Sequence, residues 1–352
     1  MKKSLLALAI LGTIAGSAAA QSSVTVYGVV DMGITRDDNG VNTKTGLDSG
    51  IQSGSRLGFK GVEDLGNGLK ALFVLETGIN ADTGGFAQSN TAFGRQSYLG
   101  LQGNFGTVKL GRQTTLLYNT LSAIDPFGIG LAGDATRIFN AAGSRMNNTI
   151  AYESPNLSGF QGALQYGFGE VAGNNTAGRQ ITGSLTYENG PVLVALTHHI
   201  SDIGAVKAVI GAPATATTAA VNPVTAAPVD KVKTTLLGGT YDFGMVKAHA
   251  AFDTVKSDAA VASKVDRRDY MVGATVPFGA SAFLIDYTKR NNKLISNGDS
   301  DQIAIGYTYA MSKRTNLYTS YARTSNDNRV SLNSGGNGLN DNLFNVGIRH
   351  KF

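Results

Sequence analysis

Two positively charged side chains stand on one face of a short alternating segment near the N-terminus. In the run 55–60, the apolar Leu57 and Phe59 alternate with Arg56 and Lys60. Because successive side chains of a β-strand point to opposite faces, the two cations share one face. A cation on a lipid-facing surface near mid-bilayer costs ~2–4 kcal/mol. If this strand crosses a membrane, Arg56 and Lys60 therefore line a watery interior.

The same rule of alternation places two more charged residues. Glu76 lies opposite Phe73 and Leu75 on its segment, which predicts an inward position. Arg95 precedes an alternating run in which Leu99 occupies the apolar face, and strict alternation would put Arg95 on that face too. Alternation alone therefore argues against an inward Arg95, unless a bulge intervenes.

The adjacent His198 and His199 are the candidates for acid–base chemistry or metal binding. Neighbouring side chains of a strand point to opposite faces, so the two imidazoles cannot form one metal site. The chain has no cysteine, which excludes disulfides, thiolate zinc sites and cysteine nucleophiles. We therefore expect no catalytic residue, no metal and no cofactor. An enzyme remains the alternative, and hydrolysis of peptide or phospholipid by the purified protein would reveal it.

The elements that must hold these residues alternate between apolar and small or polar side chains along the whole chain after residue 20. The segment 160–168 is typical, with Phe160, Leu164 and Phe168 on one face and Gln161 on the other. Charged residues make up only 16 % of the chain, against about 25 % in a soluble domain. Because of the alternation, the apolar residues occupy one face of each of many strands rather than one continuous stretch. No apolar run reaches the ~18 residues that a membrane-spanning helix needs.

Sixteen such segments are predicted, each about ten residues long, which suits a tilted strand across a bilayer. They are 23–35, 52–62, 69–78, 92–103, 107–113, 147–154, 160–169, 179–188, 191–201, 232–243, 246–256, 267–277, 281–290, 301–311, 315–324 and 342–352. Short turns such as Asn189-Gly190 alternate with long connections. The long ones are 36–51, 79–91, 114–146, 170–178, 202–231, 257–266, 291–300 and 325–341.

This rhythm predicts an all-β fold, a 16-stranded antiparallel transmembrane β-barrel with short turns at one end and long loops at the other. Closure is required because an open strand edge in lipid leaves backbone groups without hydrogen bonds. Sixteen strands leave a water-filled lumen. A soluble β-sandwich is the alternative, but its strands average five or six residues and its turns lack the long–short rhythm. The loop 114–146 carries apolar residues that would let it pack against the wall; a solvated external loop is equally compatible with the pattern.

The first twenty residues resemble a secretory signal peptide. Lys2 and Lys3 precede the apolar run 5–14, and Ala18-Ala19-Ala20 supplies small residues before a cleavage point at Gln21. The alternative, a core helix, does not explain all three features. We expect residues 1–20 to be removed and residues 21–352 to form a single barrel domain.

Several segments resemble those of general-diffusion porins from the outer membrane of Gram-negative bacteria, of the β-proteobacterial type. They are 54–71 (GSRLGFKGVEDLGNGLKA), 94–101 (GRQSYLGL), 105–112 (FGTVKLGR), 152–155 (YESP) and the closing 349–352 (RHKF). The resemblance extends from the signal peptide to the last residue, and only the segment 202–231 does not share it. It implies an outer-membrane location, a third external loop folded into the barrel and, usually, a homotrimer.

The resemblance also implies roles for particular residues. The family's arginine ladder on the wall falls on Arg56, Arg95 and Arg145, with Lys60 as a neighbour, and this match outweighs the alternation argument for Arg95. On the acidic side the chain departs from the family, whose members often carry an acid inside a Pro-acid-Phe-Gly turn, whereas here Asp125 comes just before Pro126. Asp125 and Asp134 of the third loop are therefore the candidates, with Glu76 as a weaker one. The terminal Phe352 resembles the signal that the barrel-assembly machinery reads.

The function expected is passive diffusion of small hydrophilic solutes and ions through an open channel. Because the cations outnumber the acids, we expect a mild anion preference. The expected partners are outer-membrane lipid and lipopolysaccharide; nucleic acid is not expected, since the cations are dispersed rather than clustered. A substrate-specific porin, or an adhesin or phage receptor that uses the long loops, is a further alternative. Conductance that saturates and is blocked by one solute would favour the former.

Overall fold

The structure, a computed structural model, describes residues 23–88, 91–139, 143–203, 230–258 and 264–352. The predicted signal peptide 1–20 and most of the loop 202–231 lie outside these residues. None of the helices in the described ranges has the length and apolar character needed to span a membrane.

The described residues form eighteen strands and one α-helix, α1 (Leu116–Ile124), with a short 3-10 helix at Ala135–Arg137. The strands are β1 (Ser23–Asp38), β2 (Thr43–Ser49), β3 (Arg56–Gly66), β4 (Leu69–Asn80), β5 (Gly85–Phe86), β6 (Gln96–Gly103), β7 (Gly106–Thr114), β8 (Arg145–Glu153), β9 (Phe160–Gly167), β10 (Gln180–Asn189), β11 (Val192–Ile203), β12 (Asp230–Asp242), β13 (Lys247–Ser257), β14 (Asp266–Phe278), β15 (Ser281–Asn292), β16 (Ser300–Ala310), β17 (Thr315–Asn326) and β18 (Asp341–Lys351).

These strands close into one antiparallel barrel. Strands that follow each other along the chain pair with each other, and β18 pairs with β1, so that Asp31 lies opposite Arg349. β2 and β3 both pair with β1 and together make one barrel strand, interrupted at 50–55. The two-residue β5 pairs with the end of β4, beside the barrel ladder. The barrel therefore has sixteen strands, as predicted.

The strands agree with the predicted segments to within about four residues at either end. The predicted loop 36–51 is wrong in part, because residues 43–49 form β2. This segment reads TKTGLDS and shows no apolar alternation. A strand that extends beyond the hydrocarbon is wet on both faces, so the period that marks the other strands is lost.

Apolar residues cover the outside of the barrel and polar residues the inside. On β9, the outward Leu164 is 63 % exposed whereas the next residue, Gln165, is 2 % exposed and accepts a hydrogen bond from the Leu116 amide of the inward loop. Lipid covers such outward residues in a membrane, and this is why a band of exposed leucine, isoleucine and valine is stable there.

The third loop, 115–144, folds into the barrel. α1 forms because Leu117, Leu121 and Ile124 recur on one helical face, and Thr115 caps its N-terminus by accepting a hydrogen bond from the Tyr118 amide. That face packs on the inner wall of β11–β14, against Ala195, Leu236, Ala251 and Met271. The loop tip then crosses to β15–β17, where Phe127 and Leu131 pack against Leu284, Ala304, Tyr318 and Ala322. The loop therefore narrows the lumen.

Candidate pore constriction

Three arginines lie together on the wall that the third loop leaves open. Arg56 begins β3, Arg95 precedes β6, and Arg145 begins β8. Arg56 Nε donates to the Gly54 carbonyl (2.9 Å), and Arg145 Nε donates to the Arg95 carbonyl (3.0 Å). Arg145 Nη1 also donates to the Ser144 hydroxyl (3.1 Å), and the remaining donors of both guanidiniums can serve water or solute.

The position of Arg95 explains why alternation fails for it. β6 begins at Gln96, and Arg95 lies in the bend before the strand, so the two-residue period does not reach it. Its amide donates to the Glu76 carbonyl (3.1 Å), which places its side chain beside Glu76. The guanidinium Nε then donates to Glu76 Oε1 at 2.6 Å.

Glu76 is the acid among the arginines. It is 3 % exposed, and its second oxygen accepts a hydrogen bond from the Tyr27 hydroxyl at 2.9 Å. The Lys60 ammonium lies over the Tyr27 ring, 5.3 Å from the centroid. Beside these four cations, Glu76 is thus a carboxylate already bound on both oxygens, whereas Glu153 of the same wall pairs with Lys109 at 2.7 Å, nearer the short-turn end.

The two acids of the third loop bind within their own loop. Asp125 accepts hydrogen bonds from the amides of Phe127 (2.9 Å), Ile129 (2.8 Å) and Ala135 (3.1 Å), and it is buried. Burial raises the pKa of Asp125 to about 7. Asp134 caps the 3-10 helix by accepting from the amide and hydroxyl of Thr136 (2.7 and 2.6 Å), and burial also raises its pKa.

The face that α1 turns toward the open lumen is uncharged. Asn119 and Ala123 are exposed, and Tyr118 and Ser122 are half-buried. Tyr118, on this face, lies within electrostatic range of both Arg56 and Arg145. The arrangement is a basic wall that faces amide, hydroxyl and phenol groups, which suits the passage of hydrated anions.

Tyr27 and Tyr118 are the residues near the constriction that the sequence analysis missed. Alternation along β1 could have found Tyr27, since Val24 and Val26 occupy the opposite face. Tyr118 depends on α1, which strand periodicity does not reveal. The loop's long-range anchors had no local signal either: Arg137 contacts Gln302 and Asp341, and Arg290 binds the Ile138 carbonyl.

The two histidines lie on opposite faces of β11, as alternation requires. The His199 side chain is buried and its Nδ1 bonds to Thr182 Oγ1 (2.7 Å), whereas the exposed His198 bonds to Thr235 (2.8 Å). Within the described residues, no group of three or more histidine, cysteine or acidic side chains could hold a metal ion.

The C-terminal residue lies at the barrel seam. The Phe352 amide donates to the Gly28 carbonyl and the Gly28 amide to the Phe352 carbonyl, both at 3.1 Å. The ring fills the space beside Gly28 that a Cβ would occupy. The end of the chain thus completes the pairing that closes the barrel.

A closed sixteen-stranded barrel with a polar interior, an apolar exterior and an inward loop defines a diffusion channel of an outer membrane. Comparison with known proteins gives the same class. Residues 7–329 match the model of the Gram-negative porin family, and the chain belongs to that family. It is an outer-membrane porin of a Gram-negative bacterium, a channel rather than an enzyme.

Individual relatives match over the full length. The chain is 33 % identical to an outer membrane porin protein of Bordetella pertussis and 34 % identical to outer membrane porin protein 32 of Delftia acidovorans, each alignment covering 100 % of both chains. Among solved structures, it is similar to an anion-selective porin from Comamonas acidovorans, with a TM-score of 0.79 and 30 % identity over 94 % of this chain and 100 % of that one.

Proposed function

We propose that this porin passes small hydrophilic solutes and ions by passive diffusion with a preference for anions. The observation that carries the proposal is the imbalance at the constriction, where Arg56, Arg95, Arg145 and Lys60 stand beside one bound acid, Glu76. The similarity to an anion-selective porin supports it. The basic wall continues toward the short-turn end, where Arg349 and Lys351 line a cavity of about 290 Å³.

Each residue has a proposed part. The arginines hold the ordered water and attract the anion, and Glu76 orients Arg95 and limits the net charge. Asp125 and Asp134 act from inside the loop, by bonding its backbone, and Phe352 serves the assembly machinery. Residues 1–20 are proposed to be the cleaved signal and residues 21–352 the barrel domain.

Reversal potentials in a potassium chloride gradient test this proposal. Purified protein in a planar bilayer should give a chloride-to-potassium permeability ratio above one, and Arg56→Gln and Arg145→Gln should each lower it. Arg323→Gln is the matched control, because Arg323 is exposed on the outer surface near the long loops. A wild-type ratio below one, or a ratio unchanged in both constriction variants, would refute the proposal.

We further propose a homotrimer embedded in lipopolysaccharide. The trimer rests on membership of the porin family, and electrophoresis without heating measures it. On three strands, the outer surface carries an exposed tyrosine and, two residues nearer the long loops, a cation. The pairs are Tyr270 and Arg268, Tyr287 and Lys289, and Tyr321 and Arg323. Since aromatic girdles mark the membrane interface, these cations lie at the level of lipid phosphates. Arg268→Ala with Arg323→Ala should reduce the lipopolysaccharide that copurifies.

A further inference from the structure

The interruption between β2 and β3, residues 50–55, is an unusual feature of the wall, and we call it the kink. Gly50 has a positive φ of 77°, and its amide donates to the Asp31 carbonyl at 2.8 Å. The chain then leaves the sheet and returns at Arg56, the first residue of β3. Hydrogen bonds must replace the lost ladder in the kink, since unpaired buried backbone groups are costly.

One buried carboxylate supplies those bonds. Asp31 of β1 is fully buried, and its Oδ2 accepts the amides of Gln52 (2.7 Å) and Ser53 (2.6 Å). Its Oδ1 accepts the Tyr318 hydroxyl at 2.6 Å. The Asp31 backbone and the Ser55 hydroxyl bond to each other in both directions (3.0 and 3.1 Å). Asp31 therefore fixes both the middle and the end of the kink.

The kink touches the constriction from two sides. The Leu131 amide of the loop tip donates to the Ile51 carbonyl at 2.7 Å, and Gly130 lies so close to Gln52 that a Cβ there would clash with the Gln52 carbonyl. On the other side, the Gly54 carbonyl holds Arg56. A Cβ on Gly54 would lie 2.7 Å from the Arg95 guanidinium.

We infer that Asp31 is a positioning residue for selectivity, which acts through the kink on Arg56 and Arg95 and on the tip of the third loop. The kink sets the distance between the loop and the arginines, and Asp31 sets the shape of the kink. This inference deepens the proposed anion preference and rests on it. Asp31 itself touches no solute.

The direction in which Asp31→Asn changes the chloride-to-potassium permeability ratio distinguishes a positioning role from the simple loss of a charge. Asp31→Asn keeps the size of the side chain but loses a negative charge and part of its accepting capacity. Loss of a negative charge near the lumen would by itself raise the chloride-to-potassium permeability ratio. If Asp31 positions the arginines, the ratio instead falls by about two- to fivefold, the effect of one lost hydrogen bond on an equilibrium.

Five channels test the inference by reversal potential: wild type, Asp31→Asn, Arg56→Gln, the double variant and Tyr318→Phe. Because Arg56 is one of the groups through which Asp31 acts, the double variant should show a shift smaller than the sum of the two single shifts. Tyr318→Phe removes one donor to Asp31 without changing any charge, and it should lower the ratio in the same direction. It also carries the test if Asp31→Asn does not fold.

The control is Glu153→Gln, which removes a carboxylate of β8 that pairs with Lys109 of β7 (2.7 Å) at the short-turn end of the open wall, away from the kink. It should leave the ratio unchanged or raise it. A ratio that rises or stays constant in both Asp31→Asn and Tyr318→Phe, or additive shifts in the double variant, would overturn the inference. A wild-type ratio below one would refute the proposed anion preference, while the comparison of single and double variants would still decide the role of Asp31.

Discussion

Two stretches of the inner wall carry similar charged residues and use them in opposite ways. The open wall, built by β3, β4 and β6–β8, presents Arg56, Arg95 and Arg145 to the lumen. The covered wall, built by β11–β17, lies beneath the third loop. There Asp269 is fully buried and contacts Arg267 at 3.2 Å and Arg290 at 3.4 Å.

The charges of the covered wall hold the loop rather than meet a solute. Arg290 donates to the carbonyl of Ile138. Arg137 of the loop donates to Gln302 of β16 and pairs with Asp341 at the start of β18, the strand beside this wall.

On the open wall, by contrast, Arg56 and Arg145 are held by carbonyls of neighbouring wall residues and Arg95 by Glu76, and none of these three contacts is to the third loop. The third loop decides the difference, because it removes water from one wall and leaves it on the other. The residue type alone therefore does not reveal which arginine faces the passing solute and which one holds the third loop.

The largest expected effect is a loss of stability, and it comes from removing a buried charge of the covered wall. Arg290→Met keeps an unbranched side chain but leaves the Ile138 carbonyl without this donor and Asp269 with Arg267 as its remaining arginine. Loss of one partner from a buried ion pair costs about 3–5 kcal/mol. Because Asp269 keeps Arg267, that amount is the upper bound for the fall in the free energy of unfolding in urea of the detergent-solubilised protein, and open-channel noise should increase as the loop loosens.

The neighbouring Arg268 provides the matched control for Arg290. It is exposed on the outer face, so Arg268→Met should change the free energy of unfolding by less than about 0.5 kcal/mol. Equal effects of the two substitutions would mean that the covered wall does not anchor the loop.

On the open wall, removal of the acid should alter selectivity more than stability. Glu76→Gln keeps an oxygen for Arg95 but removes the negative charge among the arginines. A unit charge a few ångströms away in water is worth about 1 kcal/mol, so the chloride-to-potassium ratio should rise about fivefold. Glu63→Gln, on the outer face of β3, is the control and should leave the reversal potential unchanged. A lower ratio in Glu76→Gln would show that Glu76 mainly orients Arg95.

The two walls also show which parts of the structure the sequence predicts. Alternation gave the strands and the inward positions of Arg56 and Glu76, because lipid on one face and water on the other impose a period of two. It failed at Arg95, which lies in a bend, and at β2, which is wet on both faces. The burial of Asp125 depends on how the loop folds on a wall distant in sequence, and no local pattern encodes that contact.

A smaller effect is expected on the stability of the third loop, which should depend on pH. Burial raises the pKa of Asp125 from 3.8 to about 7, so the folded loop retains a proton that the unfolded chain releases. This contribution to stability is complete below pH 3.8 and is lost as the pH rises through about 7. Open-channel noise should therefore be lower at pH 5 than at pH 8. Asp125→Asn should remove that dependence, and noise that still changed with pH in this variant would assign it to another group.

The smallest effect is expected at an ion pair that neither wall uses. Lys233 and Asp258 lie 3.0 Å apart on the outside of the barrel near the long loops, with side chains 44 % and 57 % exposed. Exposed pairs contribute between about 0 and 1 kcal/mol, because water and salt screen them. Asp258→Ala should thus lower the free energy of unfolding in urea by less than about 1 kcal/mol, and high salt should abolish even that difference. A loss as large as that of Arg290→Met would mean that charge pairs stabilise this barrel regardless of burial, and the contrast between the covered wall and water-exposed sites would no longer hold.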